Sequence, residues 1–291
     1  MNKSLLTGAA IILTLSSCES NLFNNTDDGY LLKVDNGPEY KYSDIELYDS
    51  STHILYFKTS HHDLITEKSA TFSVLADGEE IYRGVFWPAY SSSLPYGAFI
   101  GSYLTSFYPE NVLRIGFIVI DNEPEDKRND PRIISALKEH NLLHSGLSAS
   151  INSISIKGTQ LNFNFTVTNK DETDLLILDP EKTGPSLFHY FTNGLFIRTL
   201  THEEVFSGSV PAEIPSPWNS WKPGWLSELK SGDSRQFSMN YIIKSSIDPG
   251  VYLASFEFPG LAFQVTRDQL WQGNNRIWLG DIRVTKKITL R

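Results

Sequence analysis

Apolar and polar residues alternate along much of this chain at the spacing of a strand. The cleanest stretch is 161–167, where Leu161, Phe163, Phe165 and Val167 alternate with Asn162, Asn164 and Thr166. Period two over seven residues predicts a strand with one face on a core and one toward water. Gly158-Thr159 just before it closes a hairpin with residues 151–156. Residues 251–258 alternate in the same way after a Pro249-Gly250 turn, and 235–241 follow the turn Ser231-Gly232-Asp233. Residues 195–197 follow the turn pair Asn193-Gly194. Residues 175–178, 225–229 and 277–290 supply further short strands.

The first half is less regular. Residues 54–58 form a short apolar run, and 71–76 meets 81–86 through Asp77-Gly78. Two apolar runs joined through Asp-Gly predict a hairpin, because glycine tolerates positive φ. Residues 112–120 are the most apolar run and predict a central strand buried on both faces. One helix has good grammar: Asp130 as N-cap, Pro131 in the first turn, a stripe of Ile133, Ile134 and Leu137, and Lys138 and His140 near the end. The expected fold class is mainly β, with two β-sandwich-like domains in series. The first, 30–148, carries the short helix and the second spans 149–291.

The second half also carries turn motifs. Leu229-Lys230-Ser231-Gly232-Asp233-Ser234, followed by Asp248-Pro249-Gly250-Val251-Tyr252, resembles a turn and strand opening of immunoglobulin-like and fibronectin type III-like bacterial domains. Asp233 stands where that pattern usually has Glu. The order of elements over 161–258 is similar to that of the bacterial intracellular proteinase inhibitor family, a β-sandwich. The resemblance implies an immunoglobulin-like second domain; the fold carries over and the inhibitory activity does not.

Of 291 residues, 40% are hydrophobic, enough for a substantial core. Thirty-four acidic side chains against 25 basic ones leave a charge of -9, which speaks against a nucleic-acid partner, since phosphate contacts need a cationic surface. One cysteine excludes an intramolecular disulfide and any multi-cysteine metal site.

That cysteine is Cys18. Before it come Lys3, an apolar stretch over 5–15, and the small residues Ser16 and Ser17. A membrane-crossing helix needs about 20 apolar residues, so residues 1–17 read as a signal peptide. Leu15-Ser16-Ser17-Cys18 resembles the lipobox of bacterial lipoproteins. The resemblance implies cleavage before Cys18, a diacylglyceryl group on its thiol and an acylated amino terminus. Membrane lipid is then a partner through acylated Cys18, each buried CH₂ contributing about 0.8 kcal/mol. Residues 18–29, rich in Asn and Asp, read as a flexible tether. The expected address is the bacterial cell envelope, lipid-anchored at the outer membrane.

Candidate chemistry is sparse. His61-His62-Asp63 invites a metal, but neighbours on a strand face opposite ways, so a solvated loop is the better account. Asp121, Glu123, Glu125, Asp126, Asn129 and Asp130 offer the oxygen donors calcium takes, without the regular spacing of a calcium loop. Lys127, Arg128 and Arg132 neutralise them, and the segment reads as a polar loop. Neither a Gly-x-Ser-x-Gly elbow nor a glycine-rich phosphate loop occurs, so no catalytic residue, metal or cofactor is assigned.

Two aromatic segments stand out instead. Residues 210–225 hold Pro211, Pro215, Pro217 and Pro223 with Trp218, Trp221 and Trp225. Prolines stiffen the connection, and flat indole faces suit a sugar ring or a protein hot spot. Trp225 is expected to fold back on the core, leaving Trp218 and Trp221 as partner contacts. The second segment holds Phe86, Trp87, Pro88, Tyr90 and Tyr96, with Trp87 and Tyr90 as contacts. The expected function is a non-enzymatic binding or display module for a protein or glycan partner. A proteinase-inhibitor-like protective module and an enzyme with a site between the two domains are the alternatives.

Overall fold

The computed structural model describes residues 29–60, 71–88, 90–101, 108–119, 124–208, 210–262 and 264–290. The chain is mainly β and sandwich-type, as its alternation predicts. Among the described residues no helix is long and apolar enough to cross a membrane. Cys18, residues 19–28 of the tether and His61-His62-Asp63 lie outside the described residues.

The first half runs β1 (Tyr30–Val34), β2 (Glu39–Lys41), β3 (Ile45–Asp49), β4 (Ile54–Phe57), β5 (Thr71–Ala76), β6 (Glu79–Trp87), β7 (Gly97–Gly101), β8 (Val112–Arg114), β9 (Gly116–Ile118), helix α1 (Pro131–Glu139) and β10 (Leu143–His144). These strands make a six-stranded sheet, β2-β1-β5-β6-β7-β9, and a four-stranded one, β10-β3-β4-β8. The Asp-Gly hairpin forms as expected: Asp77 and Gly78 both take positive φ and Ala76 faces Glu79 across the turn. In α1 the Asp130 side chain accepts from the Arg132 backbone N–H. The buried stripe is Ile133, Ala136 and Leu137, with Ala136 replacing the expected Ile134.

The run 112–120 departs from expectation. It is no single central strand: β8 lies at one edge of the four-stranded sheet and β9 at one edge of the six-stranded sheet. Buried Ile115 is the crossing point, its N–H donating to the His53 carbonyl. Apolar residues are needed on both sides of a strand that changes sheets, which is why the run reads as doubly buried.

The second half runs β11 (Leu147–Lys157), β12 (Gln160–Asn169), β13 (Leu175–Leu178), α2 (Pro180–Thr183), α3 (Pro185–Phe191), β14 (Leu195–Arg198), β15 (Glu204–Ser207), β16 (Leu226–Leu229), β17 (Ser234–Ile242), β18 (Gly250–Pro259), β19 (Trp271–Gln272), β20 (Asn275–Ile277) and β21 (Asp281–Leu290). They form three sheets: β11-β12-β17, β16-β13-β20-β19 and β15-β14-β18-β21. Leu161, Phe163, Phe165 and Val167 of β12 are fully buried, so period two is realised. Their rings meet Phe256 of β18, at 4.9 Å from Phe163 and 4.6 Å from Phe165. Tyr252 sends its hydroxyl back to the Asp248 carbonyl (2.8 Å), pinning the turn that opens β18.

The four-stranded sheet of the first half is shared. Leu55 and Phe57 of β4 and Leu113 of β8 enter the first-half core. Their neighbours Ile54, Tyr56 and Val112 point the other way, into the second-half core. A strand alternates sides at every residue, so an unbroken apolar run serves two cores at once. Burying one such large side chain contributes roughly 1.5–3 kcal/mol.

Candidate functional site

Three places bear on function: a sealed ionic cluster between the halves, the predicted aromatic segments, and a cleft on the outer face of the β14-β18-β21 sheet.

The cluster centres on Arg276 of β20, which has no exposed surface. Both of its terminal nitrogens donate to Asp49 Oδ2 at 3.1 Å, and Nη2 also reaches Asp171 Oδ2 at 2.9 Å. Nη1 donates to the Tyr56 hydroxyl at 3.1 Å. Asp171 Oδ1 lies 2.7 Å from His144 Nδ1, and Asp49 Oδ1 accepts from the N–H and hydroxyl of Ser51. Burial pushes Asp171 up, yet the His144 hydrogen bond and the Arg276 charge override it and hold the carboxyl well below its usual range. Burial likewise raises the Tyr56 hydroxyl. Asp49 comes from β3, Asp171 from the turn after β12 and Arg276 from β20, so the cluster ties both halves together. It is closed to solvent: Asp49, Asp171 and Arg276 side chains are all 0% exposed. Sequence reading missed this cluster, because its members are lone residues spread over 227 positions.

The tryptophan segment divides. Trp218 is 55% exposed. Trp221 is half-buried against the second-half core, and its N–H donates to Gln269 Oε1 at 3.2 Å. Trp225 folds back as expected, half-buried with its ring edge on Phe191.

The second segment is far more exposed. It connects β6 to β7, which lie side by side and parallel, Gly84 facing Ala98 and Trp87 facing Gly101. Residues 88–96 must therefore carry the chain back over about 13 Å, at 3.3 Å per strand residue. Tyr90 is 91% exposed, Leu94 72% and Tyr96 54%. The register Gly97 to Ile118 brings half-exposed Val119 beside Tyr96. Trp87 itself is half-buried at the end of β6.

The acidic loop carries ion pairs among its described residues. Asp126 holds Arg128 at 2.7 Å, and Asp130 caps α1 and holds Arg132 at 3.0 Å. Asp121 and Glu123 lie outside the described residues. Among the described residues no group of three or more His, Cys, Asp or Glu side chains is placed to hold a metal ion.

The outer face of the third second-half sheet carries a groove of about 340 Å³, lined by Phe196, Arg198, Ser255, Glu257, Arg283 and Thr285 among others. Glu257 also lines a second cavity of about 170 Å³ with Tyr108, Tyr190, Phe191, Gln264 and Asp281. Both oxygens of Asp281 are held by Arg114 of β8. Gln264 is buried, and its Nε2 has no acceptor among the described residues. No single-sequence pattern marks this groove, since its residues are the solvent-side members of strands recognised for their inward ones.

No protein family matches the chain, and no curated protein matches it. Among solved structures it is similar over 50% of its length to a β-glucosidase from Listeria innocua in complex with glucose, at 8% identity and a TM-score of 0.22, spanning 16% of that chain. It is similar over 57% to the alkylpurine DNA glycosylase AlkC of Pseudomonas fluorescens, at 10% identity and a TM-score of 0.21, spanning 34% of that chain. A structural-genomics target, SoR45, is matched over 50% of this chain and 82% of that one, at 10% identity and a TM-score of 0.19. Likenesses this slight carry no argument about function.

Proposed function

We propose that this chain is a non-enzymatic, lipid-anchored protein of the bacterial cell envelope that binds a partner protein through the β6–β7 connection. The observation that carries the reading is the exposure of Tyr90, Leu94 and Tyr96, three large side chains within seven residues. Large apolar side chains held out in water are costly unless something covers them, and aromatic residues on a proline-punctuated path are common binding anchors. The Leu15-Ser16-Ser17-Cys18 sequence supports the anchor. Binding is favoured over catalysis because the densest set of ionisable groups, around Arg276, is sealed from any substrate. Trp218 is a further contact.

A photo-crosslinking residue at position 90 of the full-length chain, expressed in a bacterial envelope, tests the reading. The expected result is one discrete crosslinked product that is lost in a Leu94→Ser, Tyr96→Ser background and absent with the probe at exposed Val251. Equal products from positions 90 and 251, or none from 90, overturn it. A Cys18→Ala chain should leave the membrane fraction; its retention there overturns the anchor.

A further inference from the structure

We propose that the open edge of β17 takes up an extended strand of a partner protein, one whose residues alternate between apolar and uncharged polar. This edge lies on the other half of the chain from the β6–β7 connection, and the proposal stands whether or not a protein docks there.

The other sheet edges among the described residues are short or blunted. β2, β8, β9, β10 and β19 have two or three residues, and β15 and β16 have four. β11 shifts register at Asn152, and Lys286 Nζ donates to the Ile151 and Asn152 carbonyls at 2.8 and 3.2 Å. β21 carries Arg283, Lys286 and Lys287. Short strands, bulges and charges are the devices that keep sheet edges from pairing. β17 has none of them. Its nine residues run in unbroken register along β12, and its one charge, Arg235, is held by Asp179 at 2.8 Å and Glu181 at 2.7 Å.

Which backbone groups this edge offers follows from the ladder. The Ile243 N–H donates to the Thr159 carbonyl and the Asn169 N–H to the Asp233 carbonyl, at either end of the register that sets Leu161 opposite Tyr241. Hydrogen-bonded and non-hydrogen-bonded pairs alternate in an antiparallel ladder. The odd-numbered residues of β17 therefore turn their backbone groups to β12. Ser234, Gln236, Ser238, Asn240 and Ile242 turn theirs to the open edge, and all five side chains are exposed. Among the described residues no strand or loop takes up these groups. Each such residue offers a main-chain donor and acceptor to an added strand.

The facing sheet selects the occupant. β11 lies beside β21, β12 over β18, and β17 over the β14–β15 pair, with the Tyr241 ring 5.8 Å from Phe206 of β15. Three strands thus lie against four, and a single strand added to β17 completes the shorter sheet. A whole second copy is crowded out. Edge pairing keeps corresponding layers on one side, so the copy would set its own β14 and β15 where these strands already lie. The side chains then set the chemistry of the added strand. Across the outer face Asn164 and Thr168 of β12 bond Ser238 and Ser234 of β17, while Ser153 and Asn152 of β11 bond Asn164 and Thr166. These rows hold hydroxyl and amide groups without a charge. A fourth strand extends them with Ser, Thr, Asn or Gln, whereas an acidic or basic side chain there finds no counter-charge. On the inner face Phe237, Met239 and Tyr241 are buried, so the alternate residues of the added strand meet apolar neighbours.

Amide hydrogen exchange of the full-length chain in detergent tests the proposal, with and without a peptide of alternating threonine and valine about as long as β17. At about 1 mM peptide the amides of Gln236, Ser238 and Asn240 are expected to slow about tenfold, and those of Phe237 and Met239 to stay within about twofold. A peptide with aspartate in place of threonine is expected to bind about tenfold more weakly. Ser238→Pro removes an N–H that β12 does not use, and is expected to weaken the threonine peptide about tenfold. Ser238→Lys leaves the backbone alone and is expected to turn the preference toward the aspartate peptide. No protection by the threonine peptide, equal slowing at odd and even positions, or equal binding of both peptides overturns the proposal. So does binding unmoved by both Ser238→Pro and Ser238→Lys. Slow exchange at the even positions without peptide, in a chain that sediments as a dimer, would give the edge to a second copy and overturn it too. Because the crosslink at position 90 is read separately, either reading can fail without the other.

Discussion

Arg276 and Asp49 meet at 3.1 Å although 227 positions separate them, one in the last third of the chain and the other at the end of the third strand. Neither side chain touches water. Taking both charges out of solvent costs several kcal/mol each, and hydrogen bonds to Asp171, Tyr56 and Ser51 offset that cost. The cluster is a costly fastening whose value lies in holding one arrangement.

Removing one member should therefore be severe. Arg276→Met leaves two aspartates facing a dry interior, and is expected to lower stability by about 3–5 kcal/mol. Urea unfolding measures this; a loss below about 1 kcal/mol would show that water already reaches the site.

Thr52→Val should act the other way. Thr52 is 2% exposed and its hydroxyl has no hydrogen-bond partner among the described residues. Valine keeps the branched shape and removes the unpaired group, so stability is expected to rise by up to about 1 kcal/mol. The same unfolding curves report it, and a fall in midpoint contradicts it.

Gly84→Ala should disturb the six-stranded sheet. A Cβ at position 84 would stand 2.2 Å from the Phe72 ring and 2.8 Å from the Ala98 carbonyl. Phe72 is fully buried and has no room to swing away. The expected loss is about 1–3 kcal/mol, read from the thermal midpoint.

Acid should weaken the fold before the carboxylates titrate. Burial, with help from the Arg128 charge, pulls His53 down to about 3, and its Nδ1 lies 2.8 Å from the Tyr48 hydroxyl. The unfolded chain takes up this proton near pH 6.5, the folded one only near 3, so between those values the unfolded state binds more protons. Stability is then complete above about pH 6.5 and falls with pH by up to about 1.4 kcal/mol per unit. Asp171 adds its own loss below about pH 4. His53→Gln should flatten the slope between pH 4.5 and 6.5; an unchanged slope would assign it elsewhere.

Replacing Tyr90, Leu94 and Tyr96 together by Ser should leave stability nearly untouched, each change within about 0.5 kcal/mol, because these side chains cover almost nothing. A fall of several kcal/mol in the urea series would mean that the segment is structural.

What the sequence disclosed follows from the range of the interactions involved. Period two over Leu161 to Val167 and the Asp77-Gly78 turn are local, and both stand in the fold as read. Helices α2 and α3 escaped notice although Asp179-Pro180 and Gly184-Pro185 open them, because each is too short for a helical stripe to emerge. The run 112–120 shows burial but not the change of sheet at Ile115, since apolarity records how deep a residue lies and not which partner strand it meets. Trp218 and Trp221 are alike in sequence; contact with the second-half core and a hydrogen bond to Gln269, 48 positions away, hold Trp221 inward. The Arg276 cluster and the groove on the β14-β18-β21 sheet are assembled from distant strands and leave no local trace.

The sheet of β3, β4, β8 and β10 has a consequence for any attempt to cut this protein in two. Ile54, Tyr56 and Val112 would be stripped bare in a fragment ending near residue 145, and the remainder would lose the lid over Trp278 and Leu279. Each piece alone is expected to expose that shared apolar sheet to water and to unfold less cooperatively than the whole chain.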